Sequence, residues 1–239
     1  MKWSSVLHLI GRWLGYAVLL LLGLQLVFWL RIVTLMGVNP GSSTFERTEA
    51  VRLHQNGRWV WKQEWADLTR ISPHLQRAII VSEDDLFLQH EGVRWDVIEK
   101  AWQRNERVQA QRPGKGVRLV GGSTITQQLA KNLFLSGERT LIRKGQEMVL
   151  TYMLEFTLSK RRILEIYLNH VEWGAGVFGA EAAARHYFGK SAWQLSEWEA
   201  ARLAVMLPRP KWFEKNRDSA YWADRTEVIM LRMAGVKTP

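Results

Sequence analysis

The apolar run from Trp13 to Leu30, "WLGYAVLLLLGLQLVFWL", constrains this chain more than any other stretch. Gln25 is its one strongly polar residue, so no face of a helix built from it is left for water. A bilayer span needs about 20 apolar residues. Residues 13–36 reach that length if Arg31 turns its guanidinium toward a headgroup. A buried core helix is the alternative, and apolarity on all sides argues against it. Lys2 and Arg12 precede the run, and the first acid in the chain is Glu46. The positive-inside rule therefore places residues 1–12 in the cytoplasm and the rest of the chain outside. With no clear small-x-small cleavage site, the run reads as an uncleaved anchor.

An anchor changes what the charge means. The 239 residues carry 33 Lys and Arg against 23 Asp and Glu, a formal +10. Setting aside Lys2 and Arg12 leaves 31 basic residues and an excess of +8 beyond the membrane. A basic domain held at a bilayer suits an anionic headgroup or a lipid-linked anion, and nucleic acid is not an expected partner there. There is no cysteine, which excludes disulfides and thiol chemistry. The six histidines are scattered without zinc-ligand spacing.

Beyond the anchor, "GVNPGSSTFERTEA" (37–50) reads as a linker. The alternation in "VRLHQNGRWVWK" (51–62) predicts a small hairpin around Asn56-Gly57. Helical signals follow. Ser72-Pro73 predicts a capped start for a helix ending near Glu83, and 94–104 reads as a second helix. Residues 103–118 read as a mobile basic loop, with an ordinary solvated loop as the plain alternative. Ser123 is the expected cap of a helix through Leu133. Further helices are expected at 140–158, after Ser159, after the Ser196/Glu199 capping box, and at 218–234. Long strands and βαβ alternation are missing, so the class is all-α, or α with a minor β element.

Three segments carry polar residues that packing alone does not require. "EDDLFLQHEG" (83–92) crowds Glu83, Asp84, Asp85 and Glu91 around Phe87 and His90. In "GGSTITQQLAKN" (121–132), helical spacing puts Gln127 and Lys131 on one face and sets Gln128 beside Thr124 and Asn132. The glycine-containing helix start would favour an anion. The plain reading of that segment is a capped amphipathic helix. In "RTLIRKGQE" (139–147), Arg143 stands four residues from both Arg139 and Glu147. That is either a surface salt-bridge row or, because Met148–Leu158 is nearly all apolar, a set of cations at the mouth of a cleft suited to phosphate.

These segments, followed by "KRRILEIYLNHVEWGAGVFGAEAAARHYFGK" (160–190), occur in the order of the four motifs of the family 51 peptidoglycan glycosyltransferases. The chain resembles that family over nearly its whole length, most of all the monofunctional members from Gram-negative bacteria. The resemblance implies a lysozyme-like helical domain at 72–239, a small membrane-proximal lobe, and 37–71 as linker plus a small N-terminal element. It implies inner-membrane location with a periplasmic catalytic domain, and cell-wall synthesis or division proteins as partners. It also implies a reaction: lipid II and the growing lipid-linked glycan are joined through a β-1,4 bond, with inversion and release of undecaprenyl pyrophosphate.

By position in the motifs, Glu83 matches the general base, which must stand within hydrogen-bond reach of the acceptor hydroxyl. Glu147 matches the family's second carboxylate, to orient substrate or hold a divalent ion (Mg²⁺ or Mn²⁺) on the pyrophosphate. Lys131, Arg139, Arg143 and Lys144 are the candidate pyrophosphate cations. Ser123, Thr124, Gln127, Gln128 and Asn132 are expected to line the cleft, with Asp84 as an orienting neighbour. Phe87 and His90 are expected as supports of the motif. Arg94 stands where the family usually has Asp, and Asp96 comes two residues later, which leaves the local helix start open. With no Ser-x-x-Lys in the chain and none of its length left for a second domain, transpeptidase activity is not expected. A lytic muramidase would share the fold and the acidic glutamate, but it needs neither the anchor nor the pyrophosphate cations. A scaffold without catalysis would have no use for Glu83 and Glu147.

Overall fold

The computed structural model describes residues 3–57, 60–111, 122–138, 140–216 and 220–239. The chain forms two compact units, Met1–Asn39 and Pro40–Pro239.

The first unit is built on one long helix, α1 (Trp3–Thr34). Within it, His8–Thr34 is the one helix among the described residues long and apolar enough to cross a membrane. The expected span of 13–36 thus sits in a helix that starts ten residues earlier and ends two earlier. Its leucines point outward, Leu20 at 75 % exposure. A helix satisfies its own backbone hydrogen bonds and can therefore present such a surface to lipid. Its length and apolarity suit a membrane anchor.

The second unit is mainly helical. In chain order it contains α2 (Thr44–Gln55), β1 (Lys62–Gln63), α3 (Pro73–Glu83), α4 (Trp95–Gln111), α5 (Ile125–Phe134), α6 (Leu141–Thr157) and α7 (Lys160–His170). Then come β2 (Glu172–Gly174), β3 (Val177–Phe178), α8 (Ala180–Phe188), α9 (Glu197–Met206), α10 (Pro210–Lys215) and α11 (Ala220–Met233). α3 packs against α9 and α11, and α5 packs against α2, α6 and α7. Ala200, Ala201 and Ala204 are buried in α9, where α3 presents Leu75, Ile79 and Ile80. Small residues on one helix let the bulkier side chains of its neighbour come close. The three short strands form one sheet in the order β1-β3-β2, with β1 parallel and β2 antiparallel to β3. Gly176, at φ +75°, makes that approach possible, because a Cβ there would lie 2.0 Å from the Val60 carbonyl oxygen.

Local capping explains most helix starts. Ser72 caps α3 ahead of Pro73, Ser159 caps α7, and Ser196 and Glu199 form a capping box on α9, as the sequence predicts. Elsewhere the structure corrects the sequence reading. Residues 44–55, expected as linker and hairpin, form α2, whose start is a Ser43/Glu46 capping box. The alternation around Asn56-Gly57 was misleading because this cap sets the helix going upstream. Gly57, at φ +67°, follows the helix end instead of turning a hairpin. The cap of α5 is Thr124, one residue after Ser123. Residues 103–111 of the expected basic loop belong to α4, while 112–118 lie outside the described residues. α4 begins directly after Arg94 and carries Asp96 in its first turn.

Candidate active site

The site lies where the end of α3, the start of α5, the start of α6 and the body of α7 converge. Glu83 is the last residue of α3, so the break in the helix leaves its side chain free of an onward turn. One carboxylate oxygen accepts a hydrogen bond from Gln128 Nε2 at 2.7 Å. Gln128 Oε1 accepts in turn from the Tyr167 hydroxyl at 3.0 Å. Burial pushes the Glu83 carboxyl above its usual range. The Gln128 bond and the charge of Lys131 oppose that shift, and the neighbouring Asp84 adds to it.

Asp84 is buried and has its own partners. His90 Nε2 stands 2.9 and 3.0 Å from its two oxygens, and the Ile125 amide donates to it at 3.1 Å. His90 Nδ1 accepts from the Gly92 amide at 3.0 Å, so the ring proton faces Asp84. The anion expected at the start of α5 is therefore the chain's own carboxylate. Asp84 joins the two helices that carry the motifs and does not project into a cleft. Phe87 is fully buried beneath this turn, with the Lys160 ammonium 4.7 Å from its ring centre. Lys160 also donates to the His90 carbonyl at 2.6 Å and pairs with Glu155 at 2.8 Å. Gly92, at φ +87°, leaves room for α6: a Cβ there would meet Glu155 and Thr151 at 2.7 Å.

The first turn of α5 is similarly occupied. Thr124 accepts from the Gln127 amide at 3.2 Å and donates to the Gly92 carbonyl, while the Gln127 side chain accepts from the Thr124 amide at 3.0 Å. Thr124 and Gln127 are 2 % and 1 % exposed, so neither lines an open cleft as the spacing suggested. Helical spacing gives the angle between side chains, but the capping box turns Gln127 back on its own helix start. Asn132 is also buried. The residues of α5 that face the site are Gln128 and Lys131.

Across from Glu83 stands a cationic group. Glu147, 2 % exposed, accepts from Arg143 Nη1 at 2.7 Å, and its other oxygen accepts from Lys144 Nζ. Lys144 also reaches Ser123 Oγ at 3.3 Å. The Lys131 ammonium makes no hydrogen bond or ion pair among the described residues. Burial pulls its ammonium below the usual lysine range; the Glu147 and Glu83 charges raise it, and Arg143 and Lys144 lower it. Lys131 thus feels both carboxylates. Arg139 lies outside the described residues. Arg94, where the family pattern has Asp, donates to Asp85 at 2.6 Å and to Asp96 at 3.1 Å, joining the motif turn to the start of α4.

On its other side, Glu83 borders a cavity of about 330 Å³ lined by Ser82, Arg209, Trp212, Phe213, Tyr221 and Arg225, among others. The sequence reading assigned no role to this wall, nor to Tyr167 and Lys160. Tyr167 falls on the apolar face of α7 and reads as core. α10 and α11 carry no motif, so only their position identifies them.

A helical domain with a half-buried carboxylate beside a half-buried lysine and a cation-rich flank suits transfer of a group from an anionic leaving group. The family model described as "Transglycosylase" matches residues 51–234. The biosynthetic peptidoglycan transglycosylase of Herminiimonas arsenicoxydans is 53 % identical over 223 residues, 93 % of this chain and 94 % of that protein. The protein of the same name from Burkholderia multivorans is 48 % identical over 233 residues, 95 % of this chain and 92 % of that protein. That from Bordetella pertussis is 52 % identical over 202 residues, 84 % and 82 % of the two chains. The chain belongs to the transglycosylase family and is a glycosyltransferase.

Proposed function

We propose that the enzyme polymerises lipid II into linear glycan strands at the outer face of the bacterial inner membrane, with α1 as its anchor and the N-terminus in the cytoplasm. Glu83 takes the proton of the acceptor's sugar hydroxyl as that oxygen attacks the donor's anomeric carbon. The bond from that carbon to the lipid pyrophosphate breaks on the opposite face, which inverts the centre. Lys131, Arg143 and Lys144 meet the charge on the departing pyrophosphate, with Arg139 their expected fourth partner. The observation that carries this reading is one half-buried carboxylate that feels the charge of a half-buried ammonium with no ion pair among the described residues, and a row of cations beyond it.

Glu147 then acts on the cations. With one oxygen held by Arg143 and the other by Lys144, it fixes both side chains in place. The same geometry does not fit a divalent ion held by the protein. Both Glu147 oxygens are taken by cations and three basic side chains stand around them, so a further cation there would meet like charge. No step is therefore routed through Mg²⁺ or Mn²⁺. The aromatic and arginine-lined cavity gives Glu83 a second side, which suits a reaction that joins two lipid-linked anions.

The test is incubation with lipid II and, separately, with finished peptidoglycan, each with and without chelator. Polymer from lipid II and no cleavage of finished glycan is the expected result. Glycan cleavage without polymerisation would replace this reading with a muramidase.

A further inference from the structure

We propose that Tyr167 is a positioning residue that fixes the side-chain amide of Gln128 and thereby holds Glu83 in its ionised, proton-accepting form. The inference rests on the reading of Glu83 as general base.

An amide has a donor end and an acceptor end, and a half-turn about its last bond exchanges them. Gln128 presents its NH₂ to Glu83 at 2.7 Å and its carbonyl oxygen to Tyr167 at 3.0 Å. The Tyr167 hydroxyl is the element that makes this choice. Its side chain is 1 % exposed, and among the described residues its hydroxyl has no hydrogen-bond partner except Gln128 Oε1. Burial and the charges of Glu83 and Asp84 keep the phenol protonated. A buried hydroxyl proton with one acceptor holds that acceptor in place, because reversal would leave it unpaired. The opposite amide orientation would turn a carbonyl oxygen toward Glu83. A carboxylate repels that oxygen, whereas a protonated carboxyl donates to it. Tyr167 thus selects the orientation in which the ionised carboxylate is the favoured partner.

The other groups facing Glu83 do not set the amide. Asp84 is held by His90 and the Ile125 amide. Lys131 acts through its charge. Arg209, Arg225 and Tyr221 line the cavity on the far side. Gln128 and Tyr167 come from different helices, 39 residues apart in the chain, so their pairing exists only in the folded domain.

The experiment is the pH dependence of kcat/KM for lipid II polymerisation by the full chain and by Tyr167→Phe. Phenylalanine keeps the ring and removes the hydroxyl, so Gln128 is free to reverse. The acid limb is expected to move up by about one pH unit, giving roughly a tenfold loss below the limb and little above it. A uniform loss at every pH, or an unmoved limb in a folded variant, overturns the proposal. Gln128→Leu provides the second arm, independent of whether Tyr167→Phe folds. It removes the amide, so its limb must also rise, and adding Tyr167→Phe to it must cause no further shift. An unmoved limb in Gln128→Leu, or an additive shift in the double variant, overturns the proposal. Glu83→Gln is run in parallel: if it keeps full activity, the base assignment fails, while an inactive Glu83→Gln with unshifted limbs elsewhere fails the Tyr167 inference alone.

Discussion

Glu83 and Glu147 are influenced by the same lysine, and the fold treats their charges in opposite ways. Glu147 is buried and has a cation on each oxygen, from Arg143 and Lys144. Glu83 has a neutral amide on one oxygen and a cavity alongside. A carboxylate with a cation on each oxygen has neither oxygen free for an acceptor hydroxyl, but it is a good clamp for the cations around it. A carboxylate raised by burial and bonded to a neutral group can still take a proton. The difference shows how one helix-bound lysine lies in the field of two acids: its charge favours the ionised form of Glu83, and it stands beside the two cations that Glu147 holds.

The sharpest way to break the comparison is to remove the proton acceptor. Glu83→Gln is expected to lose at least about 10²-fold in polymerisation rate while keeping its melting temperature, the low end for loss of a general base. The wild-type rate is expected to fall on acidification through a value above the free glutamate range near 4.3, since only the ionised form accepts the proton. A stable Glu83→Gln variant with near-normal turnover would move the base elsewhere.

The cations come next. Lys131→Ala and Arg143→Ala are each expected to lower catalytic efficiency by a factor on the order of 10², the scale of one preorganised electrostatic donor. Lys131→Arg is expected to rescue only part of the loss, because a planar fork does not replace a compact ammonium. If Arg143 merely pairs with Glu147 across one helix turn, worth about 0.5 kcal/mol or less, Arg143→Ala would keep its rate.

Glu147→Gln tests the other carboxylate through stability as well as rate. Glutamine keeps one acceptor oxygen, so the loss of one charge-assisted hydrogen bond is expected to lower unfolding free energy by roughly 1.5–3 kcal/mol, measured by denaturant titration of the full chain. An unchanged midpoint with unchanged turnover would show that the pairing organises nothing.

A third buried carboxylate sharpens the contrast away from the chemistry. Glu172 on β2 pairs with Lys211 of α10 at 2.9 Å, yet burial still pushes it to about 7. A carboxyl raised in the folded state stabilises most when protonated, below its unfolded value near 4.5, and that contribution is lost as pH rises through about 7. Glu172→Gln should therefore gain stability relative to wild type between pH 5 and pH 8, by up to about 3 kcal/mol. A pH-independent difference between the two would show that the Lys211 pair outweighs burial.

The candidate site was legible in part. The Arg143–Glu147 contact follows from spacing, because residues four apart on one helix meet whatever the rest of the chain does, whereas Glu83 and Lys131 were singled out by the resemblance to the family. Thr124, Gln127 and Asn132, expected to line the cleft, are buried instead, and Asp84, expected as an orienting neighbour, ties two helices together. The partners of Asp84, Thr124 and Gln127 are a distant helix start, the Gly92 carbonyl and the helix's own first turn. Helix α2 was missed because alternation over a dozen residues resembles a strand, and the Ser43/Glu46 cap that overrides it lies before that window.

What the sequence by itself determined is the apolar N-terminal helix, the mainly helical class, the order of the motifs and the family, since each depends on local composition, period or pattern. The tertiary structure decided which way those residues face. Glu83, Gln128 and Tyr167 are separated by 45 and 39 residues and share no period. Their line of hydrogen bonds forms because α3, α5 and α7 bring them together. No local rule encodes that meeting, because it depends on the packing of side chains that carry no chemistry of their own.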